Sequence, residues 1–189
     1  MKEFWEVWIE NKKKLELDFK KHLKSKKIKI ETENEELVKG HLEKADHNLK
    51  FVKSTLELKE FNDWAIVSAY YSIYHASLAL CALKGFSTKD HSATLLILVK
   101  EFYNKELTKE EIELINNSTI EKEYILYYVE SRKQRSKASY STRFDFTKEE
   151  AESLRLKAIK FVNKVKEIVE SKELEGSFQR LNFIYYVLS

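Results

Sequence analysis

A run of basic residues that begins after Glu130 contains the side chains best suited to chemistry. Five cations precede the next acid, Asp145, and Tyr140 lies among them. They are Arg132, Lys133, Arg135, Lys137 and Arg143. Guanidinium and ammonium groups bind phosphates, and a tyrosine ring can stack on a base or donate a hydrogen bond. The run is compatible with a phosphate- or nucleotide-binding site and with a solvated helix end, where basic residues complement the helix dipole. Composition alone favours the helix end.

The histidines do not have the spacing of a metal site. His41 and His47 are six residues apart, which is poor spacing for a shared ion on one helix. His75 is predicted to be a hydrogen-bonded core residue. His91 is predicted to cap or pack a helix, and it becomes a candidate acid or base if the fold brings it near Arg135. The sequence has no glycine-rich phosphate loop, HExxH motif or Cys/His cluster, so we expect no metal and no other cofactor.

The segment from Trp64 to Leu83 carries no charge, in a chain of which 34% of the residues are charged. Its length would suit a membrane span. Hydroxyl and imidazole groups would then lie at mid-depth, where lipid cannot satisfy them. They belong to Ser68, Tyr70, Tyr71, Ser72, Tyr74, His75 and Ser77. We therefore predict the central helix of a soluble bundle, with a ridge of small residues that lets a neighbouring helix approach closely.

Composition favours long helices in one compact domain. The 189 residues include no proline and three glycines, so sharp turns are few. The net charge is only +3, which means that any nucleic-acid surface must be local. Cys81 is the single cysteine, so no internal disulfide forms. This cysteine usage, together with an N-terminus that has no signal-peptide pattern, predicts a cytoplasmic protein.

Capping signals position the remaining helices. Asn62 or Asp63 is predicted to cap the uncharged helix, Gly85 to end it, and Ser87 or Thr88 to start the next one. Three capping boxes are predicted to open further helices: Thr32–Glu35, Thr108–Glu111 and Thr147–Glu150.

These elements predict an all-α fold, an antiparallel four- to five-helix up-and-down bundle formed by residues 32–171. Residues 1–31 would add one N-terminal helix and a linker from Lys24 to Lys29. The Lys-rich stretch there would be a solvated face or a nucleic-acid contact. Residues 172–189 would form a C-terminal tail with a short helix that docks on the domain or on a partner. No strand pattern is evident.

Several segments together resemble the HEPN (higher eukaryotes and prokaryotes nucleotide-binding) family. The first is AYYSIYHASLALCALKG, followed by Lys89-Asp90-His91. It is similar to the AYYxxxHAAxALLxxxG helix of small prokaryotic members and the histidine that follows it. The segment Arg135-Ser-Lys-Ala-Ser-Tyr140 resembles the R-x-x-A-D-Y element, and Phe146 to Ala151 resembles the entry to the last helix. The resemblance covers about residues 32–170.

The resemblance implies a bundle that commonly dimerises. Many members are metal-independent ribonucleases, often toxins paired with a minimal nucleotidyltransferase antitoxin. Their R-x4-6-H motif, paired across the dimer, stabilises phosphorane-like charge through Arg and moves a proton through His. Arg135 matches the arginine. Tyr140 stands at the histidine position, Ser139 stands where Asp is common, and no histidine follows His91.

Three functions therefore remain open. The first is a dimeric nucleotide- or RNA-binding protein of a toxin–antitoxin-type system, which binds phosphates through Arg132, Arg135 and Tyr140 and acts with a nucleotidyltransferase partner. The second is an active ribonuclease toxin, in which His91 or His75 supplies the missing acid or base beside Arg135. The third is a purely structural partner in which Arg135 serves packing. The sequence leaves open whether the protein is an enzyme.

Overall fold

A computed structural model describes residues 4–58, 60–103, 122–140 and 146–188, with side chains for 5–58, 60–103, 123–140 and 146–172. Helices dominate these ranges, which confirms the predicted all-α bundle. The elements in chain order are α1 (Phe4–Glu10), α2 (Lys12–Lys24), β1 (Ile28–Ile30), α3 (Glu35–Glu57), α4 (Asn62–Leu83), β2 (Phe86–Thr88), α5 (His91–Glu101), α6 (Lys122–Tyr140) and α7 (Lys148–Leu188). The predicted box Thr108–Glu111 lies outside the described residues.

Helix α4 is the centre of the bundle, as predicted. It packs against α3, α5, α6 and α7. The small residues of the predicted ridge are all buried: Ala65, Ser68, Ser72, Ala76 and Ala79. Ser72 donates a hydrogen bond to the carbonyl oxygen of Ala45 on α3 at 2.9 Å. The helix is long and apolar enough to cross a membrane, but 78% of its most apolar window is buried inside the protein. This burial is typical of the core helix of a soluble domain.

One predicted capping box forms in full. The Thr147 hydroxyl accepts from the Glu150 amide at 3.1 Å, and the Glu150 carboxylate accepts from the Thr147 amide at 2.9 Å. Two free amides at the start of α7 are thereby satisfied reciprocally.

Three other helix starts were predicted at the wrong residue. Asn34 caps α3 and accepts from the Leu37 amide at 2.9 Å, whereas Thr32 lies before the helix. Asp90 caps α5 by accepting from two backbone amides, because Ser87 and Thr88 belong to β2. Asn62 is the first residue of α4 and donates its side-chain amide to the carbonyl oxygen of Phe146. In the first two cases the side chain next to the helix, an Asn or Asp, has the better geometry for the free amides.

The predicted linker contains a strand, which sequence reasoning missed. β1 and β2 pair antiparallel with Lys29 opposite Ser87, and Ile28 of β1 is buried in the core. Gly85 ends α4 with a φ of +69°. A Cβ atom there would lie 2.6 Å from the carbonyl oxygen of Glu31. Glycine is therefore required both for the left-handed backbone and for the close approach of the two segments.

The N-terminal extension consists of two helices rather than the one predicted. Asn11 separates them, because its side chain caps α2 by accepting from the Lys14 amide. Both helices pack against α5. Trp5 and Trp8 are buried, and the indole N–H of Trp8 donates to Asp18 at 2.9 Å. The extension thus shares the core of the bundle.

The predicted short C-terminal helix is also wrong, because α7 runs through to Leu188 without a break. Its sequence has no proline, and a single helix-interior glycine costs only about 1 kcal/mol. The Lys172 amine pairs with Glu33 and donates to the carbonyl oxygen of Leu83, both at 2.8 Å. These contacts hold α7 against the C-terminal end of α4.

Candidate phosphate-binding site

Three tyrosines of α4 form the floor of the site. Tyr70 and Tyr74 are one helical turn apart, and their rings stack with centroids 5.9 Å apart. The Tyr71 ring meets Tyr70 edge-on at 5.2 Å. Tyr70 and Tyr74 are buried, and Tyr71 is half-buried. Burial leaves their hydroxyl groups in need of partners from other helices.

His91, the first residue of α5, is one of those partners. The Tyr70 hydroxyl oxygen lies 2.5 Å from His91 Nδ1. The centres of the Tyr74 ring and the imidazole are 4.5 Å apart. The hydroxyl of Tyr128 on α6 donates to the carbonyl oxygen of His91 at 3.0 Å. These contacts hold the imidazole in one place between α4, α5 and α6.

Burial lowers the pKa of His91, and the positive charges of Arg132 and Arg135 lower it further. Both effects oppose the imidazolium form. The imidazole is therefore neutral at pH 7, the form in which it can accept a proton.

Arg135 of α6 lies over the tyrosines. Its guanidinium carbon is 5.5 Å from the centre of the Tyr70 ring, 6.0 Å from that of Tyr71 and 5.7 Å from that of Tyr140. Such distances are typical of cation–π contacts. Although partial burial works against the charge, hydrogen bonding to the hydroxyls of Tyr71 and Tyr140 raises the pKa of Arg135. The guanidinium stays charged at any working pH.

Arg132 precedes Arg135 by one turn and so lies on the same side of α6. Its Nη1 donates to the hydroxyl of Ser92, the residue after His91, at 3.3 Å. Neither arginine forms a salt bridge with a carboxylate in the described parts of the chain. Two guanidinium groups without a carboxylate partner can bind an anion, and their planar forks suit phosphate.

The remaining predicted site residues are placed differently. Tyr140 ends α6 with 77% of its surface exposed, next to Arg135 as described. Lys133 and Lys137 are exposed, and the helical repeat turns them away from the face of Arg135. Arg143 lies outside the described residues. Within those residues, no group of three or more His, Cys, Asp or Glu side chains could hold a metal.

His75 does not join the site. Its Nδ1 lies 3.2 Å from Nδ1 of His41 on α3. Burial lowers the pKa of His75 to about 4, with smaller contributions from His41 and Lys44. Of the two histidines considered as an acid or base, the fold brings only His91 close to the residues that contact Arg135.

Sequence reasoning assigned the α4 tyrosines to the fold and missed their place in the site. A signal was present, because Tyr70, Tyr71 and Tyr74 are polar-tipped residues in an otherwise apolar helix. Buried tyrosine hydroxyls usually mark a meeting point with another polar group. Nothing in the sequence indicated Ser92, whose hydroxyl is positioned by the packing of α5 on α6.

Comparison with known proteins identifies the family. The HEPN domain family model matches residues 38–169, which run from α3 into α7. The chain is 31% identical over 152 residues to a Methanocaldococcus jannaschii protein named "Putative toxin MJ0142", covering 80% of this chain and 92% of that protein. It is 33% identical over 135 residues to "Putative toxin MJ0605" of the same organism, covering 71% of this chain and 90% of that protein. This chain belongs to the HEPN domain family.

Proposed function

We propose that this protein binds RNA or nucleotides through a phosphate site formed by Arg132, Arg135 and Tyr140. The observation that carries the proposal is the pair of arginines on one side of α6, without a described carboxylate partner. Arg135 lies over the floor of tyrosine rings, and Arg132 donates to Ser92. The arginines would neutralise phosphate oxygens, and the exposed Tyr140 ring would stack on a base.

The biological setting we propose is a toxin–antitoxin-type system. The two relatives are named as toxins, and the family resemblance implies a nucleotidyltransferase antitoxin and a dimer. The protein would act as a homodimer in the cytoplasm and be held in check by that partner. Copurification from cells that express both genes would test the pairing.

RNA binding is tested by fluorescence anisotropy with a labelled single-stranded RNA at low salt. Arg135→Ala should weaken binding by roughly ten- to a hundredfold, because one charge-assisted phosphate contact contributes roughly 1.5–3 kcal/mol. The matched control is Arg155→Ala, which removes an arginine paired with Glu152 on α7. No binding by the wild type, or equal losses in both variants, would contradict the proposal.

A second candidate function is metal-independent RNA cleavage, favoured by the position of His91. Neutral His91 would take the proton of a ribose 2′-hydroxyl, whose oxygen would attack the adjacent phosphorus. The 5′-oxygen would leave and take a proton from water, giving a 2′,3′-cyclic phosphate and a 5′-hydroxyl end, and His91 would return its proton to the solvent. Arg132 and Arg135 would stabilise the charge that builds on the phosphate oxygens.

Induced expression distinguishes cleavage from binding alone. The wild type should arrest growth and degrade cellular RNA, and both His91→Ala and Arg135→Ala should relieve the arrest. His47→Ala, an exposed histidine on α3, is the matched control and should remain toxic. Intact RNA and normal growth with the wild type would refute cleavage, and RNA binding would then be the one remaining candidate function.

A further inference from the structure

An open cleft with a volume of about 900 Å³ lies beside the arginine site. Tyr71, Tyr74 and His91 line one wall. The other wall is the two-stranded ribbon of β1 and β2 with its flanking turns, and it carries four lysines. They are Lys26, Lys27, Lys29 and Lys89. The cleft thus combines an aromatic wall with a cationic one.

The cleft is continuous with the arginine site. Tyr71 belongs to both, because its ring lines the cleft and lies 6.0 Å from the guanidinium carbon of Arg135. His91 also belongs to both, since its imidazole contacts Tyr70 and Tyr74 and borders the cleft. A ligand bound at Arg135 that is longer than the site would therefore extend along the wall that carries the lysines.

The wall formed by the ribbon and its turns, here called the lysine wall, has three lysines that are not paired with a carboxylate in the described residues. Lys27 pairs with Asp90 at 3.0 Å. Lys26, Lys29 and Lys89 are exposed, and none of them pairs with a carboxylate in the described residues. Two acids adjoin this wall, Asp90 and Glu31, whose carboxylate accepts a hydrogen bond from Ser87 at 2.6 Å. The four lysines outnumber them, which gives a locally positive potential although the whole chain has a net charge of only +3.

The backbone at Lys26 is unusual for a lysine. Its φ is +58°, in the left-handed region, where it ends α2. The Lys27 amide donates to the carbonyl oxygen of His22, and the Lys26 amide to that of Leu23. This hydrogen-bond pattern is a helix end that glycine or asparagine usually forms. A lysine therefore stands where stability would favour another residue, at the rim of a cleft.

The ribbon's first strand lies outside the part of the chain that matches the family model, which begins at residue 38. Ile28 is buried in the core and anchors this strand. The pairing of β1 with β2 fixes the register, so that Lys29 lies opposite Ser87. The N-terminal extension thus adds a structural wall to a site whose other parts come from the family domain.

We propose that the lysine wall is a second phosphate-binding surface, which holds the nucleotides of a single-stranded RNA adjacent to those at Arg135. The proposal rests on the RNA-binding function proposed above. The phosphates would contact Lys26, Lys29 and Lys89, and the bases would stack on Tyr71 in the opposite wall. Single-stranded rather than duplex RNA fits, because only unpaired bases can turn towards an aromatic wall while their phosphates face the lysines.

The test removes the three unpaired charges without disturbing the cap of α5. Asparagine tolerates the left-handed conformation, so the triple variant is Lys26→Asn, Lys29→Gln and Lys89→Gln. Lys27 is kept because it pairs with the capping residue Asp90. The control triple variant is Lys13→Gln, Lys20→Gln and Lys50→Gln, which removes three exposed lysines outside the cleft.

Binding of an oligouridylate of about twelve nucleotides and of the dinucleotide UpU is measured over a series of salt concentrations. The cleft variant should bind the longer RNA about tenfold more weakly than the control. The slope of the logarithm of the binding constant against the logarithm of the salt concentration should become shallower by about 2. Each of the three lost phosphate contacts on a single strand removes about 0.7 from the magnitude of that slope. Binding of UpU, which reaches only the arginine site, should match the control.

An unchanged salt slope for the longer RNA would overturn the inference, as would an equal loss of UpU binding or equally tight binding of a duplex of the same length. A melting temperature equal to that of the control shows that the variant is folded. Arg135→Ala separates the two proposals, because it should weaken both ligands. Failure of the wild type to bind either RNA would refute the proposed function itself, and the inference with it.

Discussion

At the scale of single residues, the proposed RNA cleavage depends on the position of His91 at the start of α5. The imidazole is held by Tyr70 and Tyr74, with two arginines of α6 close enough to lower its pKa. In the proposed cleavage, the neutral imidazole would accept a proton while the two arginines hold a phosphate. Tyr140, exposed at the end of α6 beside Arg135, is placed for stacking and hydrogen bonding.

Replacing Arg132 by glutamine should raise the pKa of His91 towards its ordinary value. After burial, Arg132 is the largest cause of the lowered pKa, and removing a nearby positive charge favours the imidazolium. A titration of the histidine ring protons by NMR measures the shift. Arg155→Gln, far along the chain on α7, should leave the His91 titration unchanged. An unaltered pKa in Arg132→Gln would show that the two groups are not electrostatically coupled.

At the scale of elements, the ribbon depends on Gly85, which joins α4 to β2. Gly85→Ala should destabilise the protein by about 1–3 kcal/mol, because it strains a left-handed backbone and pushes a Cβ atom against Glu31. Urea unfolding measures the change. Gly40→Ala is the opposite control, since that glycine lies exposed in α3 with open space around it. It should stabilise the protein by about 0.5–1 kcal/mol, and equal effects of the two changes would contradict this explanation.

The contact between α3 and α4 contains a second pH-sensitive feature, the His41–His75 pair. Because burial lowers the pKa of His75 to about 4, the unfolded chain binds a proton between about pH 6.5 and pH 4 that the folded protein does not. The free energy of unfolding should therefore fall as the pH drops through that range. Above about pH 6.5, His75 should not make the free energy of unfolding depend on pH.

The pH dependence is measured by urea unfolding at pH 7, 5.5 and 4.5. His75→Gln should show a smaller loss of stability towards acid than the wild type. His47→Gln, on the exposed side of α3, should lose as much as the wild type does. If the curves of His75→Gln and the wild type were parallel, His75 would not be the group responsible.

At the scale of the whole molecule, the family resemblance implies that two copies bring their arginine sites together. We therefore expect a homodimer of about 45 kDa, twice the chain mass of 22.5 kDa. Light scattering coupled to gel filtration measures this directly. A mass of 22.5 kDa at micromolar concentration would contradict the dimer and with it any site shared between two chains.

The sequence by itself determined the class of fold and the family, and it predicted part of the candidate site. Helical periodicity, a capping box at Thr147 and an uncharged central segment depend on interactions between neighbouring residues, so they can be predicted locally. The contact between Arg135 and Tyr140 could also be predicted from the sequence, because both residues lie on one helix. The continuity of α7 was missed because its one interior glycine was compatible with either outcome.

Only the tertiary structure decided which distant groups meet. The approach of His91 to the arginines depends on how α5 packs against α6 and α4, and no local pattern encodes that packing. The β-ribbon was missed for the same reason, since each strand has three residues and is stable only through its partner far along the chain. Residue types and spacing indicated which side chains are candidates for chemistry, and long-range packing decided which of those candidates lie together.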